Sequence, residues 1–361
     1  MYNTKYKEQQ MMKEENIIKG LGISGMGRIG RLLIRSIFES GDLIKQLKAI
    51  NSIYPVETVA HLLKYDSVHG TWAADLSVQN GKLLINGNKI DVVYHREPEM
   101  IPWASLGVEI VIDATGKFND REGAQKHIEA GARSVIITAP GKMMDLTVVM
   151  GVNDRLYDPE KHALLSAASC TTNCVSPLLR ILDDAYRIES GWMTTVHSFT
   201  SDQNHLDNPH KDLRRARACT QSIVPTTTGV GKALVDVIPH LAQSIEGISL
   251  RVPTQDVSLV DLTVKVSRKV KADEVKHVFQ SAAAGAYQPY VEYIESPLVS
   301  ADFIGCPKSA VVDGLSIMVN GDQIKVLAWY DNEWAYSCRV VDLAKLVAER
   351  GADKWNAVTA V

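Results

Sequence analysis

Gly25-Met26-Gly27-Arg28-Ile29-Gly30 follows a short apolar run, Gly20-Leu21-Gly22-Ile23-Ser24. It precedes a segment whose apolar residues Leu33, Ile34, Ile37 and Phe38 recur at helical spacing up to a Gly41-Asp42 stop. A strand, a tight glycine turn and a helix in that order leave few folds open. Gly25 permits the turn, Gly27 lets a ligand backbone approach, and Gly30 lets helix and strand pack closely, with a diphosphate on the helix N-terminus. In that context the glycine spacing implies a dinucleotide site at the head of a doubly wound sheet.

The next strand, Leu47 to Ile50, ends in Asn51-Ser52-Ile53-Tyr54 without an acid. A carboxylate there grips the ribose of NAD and repels the 2′-phosphate of NADP, so both cofactors stay open. Ser52 is placed to donate to that phosphate and Arg96 to supply charge; alternatively Ser52 caps a turn and NAD binds through other contacts. Strand and helix signals then alternate: Val108 to Ile112, Asp120 to Ala130, Ser134 to Thr138, Leu146 to Val152, and the run His162 to Ala168.

That last run delivers the chain to Ser169-Cys170-Thr171-Thr172-Asn173-Cys174. After it, Cys174, Leu178, Leu182 and Ala185 recur at helical spacing, with Pro177 in the early turns. Cys170 therefore opens a helix, where unpaired N–H groups and the positive end of the helix favour thiolate. That is the setting of a nucleophile. Cys170 and Cys174 supply two metal ligands at most, with no further cluster at metal spacing, and no metal site is expected.

Beyond Ser190 the pattern changes. Val260, Leu262, Val264 and Val266 alternate with polar residues, the period of a sheet with one buried face. A helix from Ala272 to Ala284, a strand from Gln323 to Tyr330 and a final helix from Ser337 complete the reading. His197 ends the strand Met193 to Val196 and is the histidine best held to face the thiol. Thr226-Thr227-Thr228-Gly229 and Arg214-Arg215-Ala216-Arg217 look like phosphate cradles, and Arg251, alone in an apolar segment, calls for an anionic partner.

The expected architecture is α/β. A polar extension spans 1–17, a Rossmann-like doubly wound domain spans 18–169, and an α+β catalytic domain spans 170–336, its antiparallel sheet covered on one side. The helix from 337 to 361 packs back on the first domain. With 45% hydrophobic and 22% charged residues and a net charge of -3, nothing points to nucleic acid or a membrane. Five cysteines without framework spacing suit a reducing cytosol, and the polar N-terminus lacks the apolar core of a secretory signal.

Over residues 20 to 350 the chain resembles phosphorylating glyceraldehyde-3-phosphate dehydrogenase. Ser169 to Cys174 is similar to that family's active-site segment, Ala328 to Trp334 to its nicotinamide-side segment, and His61 to Gly70 and Leu250 to Thr254 also match. The resemblance implies Cys170 as nucleophile and His197 as base. It implies Ser169, Thr171, Thr228 and Gly229, with Arg215 beside them, for the attacking phosphate, and Thr200 and Arg251 for the substrate's own phosphate. Arg28, Ile29, Arg96, Thr138 and Asn332 would contact NAD or NADP, and the segment Ser198 to Ser222 would reach a neighbouring subunit of a cytoplasmic homotetramer. The implied reaction is reversible phosphorylating oxidation of glyceraldehyde 3-phosphate. The competing readings are a sister dehydrogenase acting on erythrose 4-phosphate or a semialdehyde, and a non-catalytic dinucleotide-binding protein. Ser24, Met26, Ala167 and Ala335 depart from the family pattern, while Ser52 and Asn208 lean toward NADP and the retained Pro209 against it.

Overall fold

The computed structural model describes residues 20–358, so the expected extension over 1–17 and the last three positions lie outside the described residues. Two large sheets organise the chain. The first has nine strands in the order Leu146–Thr147, Leu164–Ser166, Ser134–Ile137, Ile110–Asp113, Leu21–Ser24, Leu47–Asn51, Asn88–Val93, Lys82–Ile85 and Leu76–Gln79. Its first seven strands run parallel, and the last two extend the edge as an antiparallel meander. The central strands are buried along their whole length, as continuous apolar runs covered on both faces should be.

The glycine turn behaves as its spacing requires. Gly25 has φ +98°, and a Cβ there would lie 2.7 Å from the carbonyl carbon of Ala114. A Cβ on Gly30 would lie 1.8 Å from the Gly25 oxygen, so helix Arg28–Ser40 reaches its strand only without a side chain at that position. Gly27 has open space where a Cβ would stand.

The second sheet runs Val224–Thr227, Ile245–Val252, Ile188–Ser198, Ser258–Val266, Gln323–Tyr330, Ala310–Asp313 and Val291–Ile294, with Met318–Asn320 paired to Gln323–Tyr330. It is rich in antiparallel pairs but mixed, which corrects the expectation of an antiparallel sheet. Ile188–Ser198 pairs parallel with Ile245–Val252, and Val291–Ile294 parallel with Ala310–Asp313. Each parallel pair needs a crossover, and the chain supplies one through helix Val230–Val237 and another through the 295–309 connection.

Helix Cys170–Tyr186 lies over this sheet, packing Cys174, Leu178 and Leu182 into one core with Val260, Leu262 and Val326, and helix Ala272–Ala284 adds Val275 and Phe279. The opposite face leaves Trp192 68% and Met318 58% exposed. Helix Trp334–Val358 starts earlier than Ser337, and its Val340, Leu343 and Val347 share a core with Leu21, Ile23 and Leu33 of the first sheet and its glycine-turn helix. Two strands are shorter than their apolar runs suggest. Leu164–Ser166 stops because Ala168 turns left-handed at φ +55°, and Leu146–Thr147 gives way to hydrogen-bonded turns over Val149 to Asn153.

The two glycines make a paired test. Gly30→Ala is expected to lower the thermal unfolding midpoint, since the backbone must move to relieve an overlap that costs about 1–3 kcal/mol. Gly27→Ala should leave the midpoint near that of the unmodified chain; equal losses at both would contradict the packing described.

Candidate active site

The thiol is presented by a strained turn tied at several points. Ser169 caps the helix, its Oγ accepting from Thr172 N at 3.1 Å, and Cys170 is the first helical residue. Asn173 Nδ2 donates to the carbonyls of Ala167 and Ser169, and Tyr336 donates to the Ala168 carbonyl at 3.0 Å. Ala168, a non-glycine residue with positive φ, is thus held from both sides immediately before the cap.

His197 is the penultimate residue of strand Ile188–Ser198, and its Nε2 lies 3.4 Å from Cys170 Sγ. Parallel pairing puts Arg251 opposite it. Arg251 Nη1 lies 2.7 Å from His197 Nδ1 and donates to the Ser198 carbonyl at 3.0 Å. When Arg251 donates to Nδ1, the ring proton sits on Nε2 and faces the sulfur. When Nδ1–H donates instead to the Ser198 carbonyl, 2.7 Å away, Nε2 is free to take the thiol proton.

Burial pushes the Cys170 thiol up, while the Arg251 charge and N–H groups at the helix start pull the other way. The expected thiolate-favouring effect of the helix start is therefore present but outweighed by desolvation. Burial, with Arg251 nearby, takes His197 down to about 3. The resting pair is thus neutral, thiol beside imidazole. Burial also works against the Arg251 charge, and its Nε is buried without a hydrogen-bond partner among the described residues.

The remaining expected anion ligands divide. Thr171 Oγ1 shares a hydrogen bond with Tyr330 Oη at 2.9 Å, and Ser169 Oγ lies 2.8 Å from Thr172 Oγ1, so both hydroxyls already have partners inside the protein. Thr228 and Gly229 lie between strand Val224–Thr227 and helix Val230–Val237, with Gly229 as that helix's N-cap. Thr200 is half-buried in the loop after Ser198. Arg215 is half-buried and paired with Asp202, and its Nε donates to Thr226 Oγ1 at 3.0 Å.

On the cofactor side, Gly25, Gly27, Asn51, Tyr54, Arg96 and Lys117 line one cleft. Its lining suits a dinucleotide: the Gly27 position opens into space, and the exposed cations Arg96 and Lys117 would be available to a phosphate. Ser52 is buried and is not among the cleft's lining residues; its Oγ donates to the Tyr54 carbonyl and accepts from Tyr54 N, both at 3.0 Å. That is the turn-capping alternative, and the engaged hydroxyl does not point to a 2′-phosphate.

The Arg28 guanidinium pairs with Asp66 and Glu333, whose hydrogen bonds and charges outweigh burial and raise its pKa, leaving the backbone N–H at the helix start for a cofactor. Ile29 packs against the first core. Thr138 Oγ1 donates to the Asp113 carbonyl, and Asn208 N to the Ala216 carbonyl within its own loop.

Asn332 Oδ1 accepts from Ser198 Oγ at 2.8 Å and from Ser258 Oγ at 2.7 Å, so its amide has one orientation and presents Nδ2. Tyr330 Oη bridges Thr171 and Thr195 beneath the thiol turn. Sequence reasoning missed Ser198, Ser258 and Tyr330, because only strand register brings them to Asn332 and Thr171. Their one local signal was a polar atom at the end of an apolar strand.

The glyceraldehyde 3-phosphate dehydrogenase NAD binding domain family matches residues 19–121, and the C-terminal domain family of the same enzyme matches residues 169–332. The chain is 51% identical over 331 residues to glyceraldehyde-3-phosphate dehydrogenase 2 of Bacillus subtilis (strain 168), covering 91% of this chain and 97% of that one. It is 49% identical over 332 residues to the glyceraldehyde-3-phosphate dehydrogenase of Geobacillus stearothermophilus, covering 92% and 98%.

With the thiol pushed up, iodoacetamide labelling of Cys170 should accelerate as pH rises into the alkaline range. Arg251→Gln removes the charge that favours the thiolate, so its labelling curve should move to higher pH. An unmoved curve would mean that Arg251 does not act on the sulfur.

Proposed function

This chain belongs to the glyceraldehyde-3-phosphate dehydrogenase family, and from that premise and the site geometry we propose that it oxidises glyceraldehyde 3-phosphate reversibly, with inorganic phosphate as co-substrate, to an acyl phosphate. The observation that carries the reading is the Cys170–His197 pair, at 3.4 Å, with Arg251 against the far side of the imidazole. The relatives' names favour this aldehyde over erythrose 4-phosphate. An apposed thiol and imidazole argue against a non-catalytic role.

His197 Nε2 takes the Cys170 proton as sulfur adds to the aldehyde carbon and returns it to the former carbonyl oxygen, forming a hemithioacetal. It then takes the hemithioacetal hydroxyl proton as the carbon is oxidised to a thioester on Cys170. A bound nicotinamide supplies the hydride acceptor for that oxidation. Asn332 Nδ2, fixed by Ser198 and Ser258, is oriented for its carboxamide oxygen. Phosphate oxygen then attacks the thioester carbonyl, the C–S bond breaks, and the thiolate leaves to be reprotonated from His197.

The desolvation that raises the thiol also keeps water from competing with phosphate at the thioester. Arg251, with a buried Nε unpartnered among the described residues, is suited to a phosphate, as is Thr200 in the loop just after His197 and Ser198. Thr228 and Gly229, at a helix start, suit the second anion, with Arg215 behind them. The Ser169 and Thr171 hydroxyls each share one hydrogen bond inside the turn, in which either oxygen can be the donor, and both keep capacity for the attacking phosphate beside their backbone N–H groups.

The cofactor is NAD or NADP, with acceptance of NADP resting on Arg96 and Lys117 at the rim and on the lack of a carboxylate after Leu47–Asn51, no longer on the Ser52 hydroxyl. A homotetramer is supported by Leu206 and Leu213, each 80% exposed in the Ser198 to Ser222 segment, and by the uncovered face of the second sheet.

The test is the initial rate of cofactor reduction by glyceraldehyde 3-phosphate, with NAD and NADP in parallel, each with and without phosphate. Turnover should require phosphate or arsenate; equal rates without either would overturn the assignment. Cys170→Ser should lower kcat by about 10³-fold or more while dinucleotide binding, measured calorimetrically, persists. Arg96→Ala should raise KM for NADP about tenfold and leave that for NAD unchanged, as loss of one charge-assisted contact predicts.

A further inference from the structure

A second cluster of chemistry-bearing side chains lies where three distant segments meet. His69 comes from the turn between short strands Tyr65–Asp66 and Gly70–Thr71, Asp256 from the turn between Ile245–Val252 and Ser258–Val266, and Glu333 from the link between Gln323–Tyr330 and helix Trp334–Val358. His69 Nε2 lies 3.4 Å from Glu333 Oε2 and 3.6 Å from Asp256 Oδ2, and one ligand atom from each residue falls within 4.8 Å of the others.

The Asp256 side chain is wholly buried, and among the described residues neither of its oxygens has a hydrogen bond of good geometry, although the Val257 N–H lies close to it and His69 Nε2 lies close to both carboxylates. A buried carboxylate with nothing to accept from is strongly disfavoured unless a cation or a proton joins it. The surroundings carry both signs: Asp331 adds negative charge beside Asp256, the Arg28 guanidinium is already shared between Asp66 and Glu333, and Arg31 and Arg35 lie within electrostatic reach of Asp66. Asp331 is no relief, since its oxygens accept from the backbone N–H groups of Gly305, Glu333 and Trp334.

We propose that His69, Asp256 and Glu333 form a site for a first-row divalent metal ion of the zinc class, joining the dinucleotide-binding half to the catalytic half of the chain. The spacing suits that chemistry. Bonds of about 2.0–2.1 Å in a tetrahedral shell put adjacent ligand atoms about 3.3 Å apart, close to the two separations observed. One imidazole and two carboxylates leave a fourth position for water, and a cavity of about 240 Å³ lined by Arg35, Glu39, Val68, His69, Gly305 and Trp334 adjoins the histidine. The Glu333 oxygen that faces His69 also accepts from Arg28, so a bound ion would share that oxygen with the guanidinium.

The rival occupant is a proton. Burial, reinforced by Asp331 and Glu333, pushes the Asp256 carboxyl up to about 9, and a protonated Asp256 would donate to Asp331. The experiment separates the two without an activity readout and therefore independently of the proposed reaction. The full-length Cys170→Ser chain, which lacks the active-site sulfur as a competing zinc ligand, is stripped with chelator and titrated with Zn²⁺ by calorimetry, then with Co²⁺ by absorption. One ion should bind per chain with a cobalt spectrum free of sulfur charge transfer. Asp256→Asn and His69→Gln, each in that background, should weaken binding roughly tenfold or more. Absence of binding, or unchanged affinity in both variants, would overturn the proposal. So would a parent indifferent to Zn²⁺ whose Asp256→Asn variant melts higher in chelator, since that result assigns the site to a proton.

Discussion

Everything chemical in this chain depends on holding two separately built halves in register. The thiol belongs to a helix launched from the last crossover of the first sheet, while the imidazole sits at the end of a strand of the second. A contact of 3.4 Å between Cys170 and His197 exists only if those frameworks are fixed to within a fraction of an ångström. The fixing is distributed. Tyr336 reaches back from the final helix to the Ala168 carbonyl, Tyr330 ties Thr171 to Thr195, and Arg28 joins Asp66 of one half to Glu333 of the other. The final helix itself packs into the core of the first sheet, so the first strand and the last helix of the described residues share one layer.

Burial is the second recurring influence, and its sign explains the resting state. It raises the thiol and lowers the imidazole, making a neutral pair where the helix start alone would favour thiolate. It also leaves the Arg251 charge short of partners, which suits a residue awaiting an anion. Desolvation that disfavours charge in the free protein strengthens each electrostatic contact once an anionic substrate arrives. The same rule applied at Asp256 isolates a carboxylate that the proposed reaction does not use.

Much of this was legible in the residues because the relevant signals are local. Gly25, Gly27 and Gly30 mark a strand-to-helix turn, alternation from Val260 to Val266 marks a half-buried strand, and Ser169 before Cys170 marks a helix cap. The helix Ala272–Ala284 and the strand Gln323–Tyr330 could be bounded from periodicity alone. What local pattern could not convey is pairing between distant strands. The parallel register that sets Arg251 against His197, the two serines converging on Asn332, and the meeting of His69, Asp256 and Glu333 are all properties of register and topology. Ser52 shows the converse: an exposed-looking hydroxyl after a strand is folded inward to cap Tyr54.

The proposed reaction requires the aldehyde carbon to become covalently bound to Cys170 during turnover. Intact-mass analysis after acid quench tests it most directly, on chain mixed with glyceraldehyde 3-phosphate and the nicotinamide cofactor in phosphate-free buffer. One phosphoglyceroyl group per chain is expected, mapped to Cys170 and lost when phosphate is added before the quench. A chain that reduces cofactor with no acyl mass, or that carries the group on another residue, would contradict it.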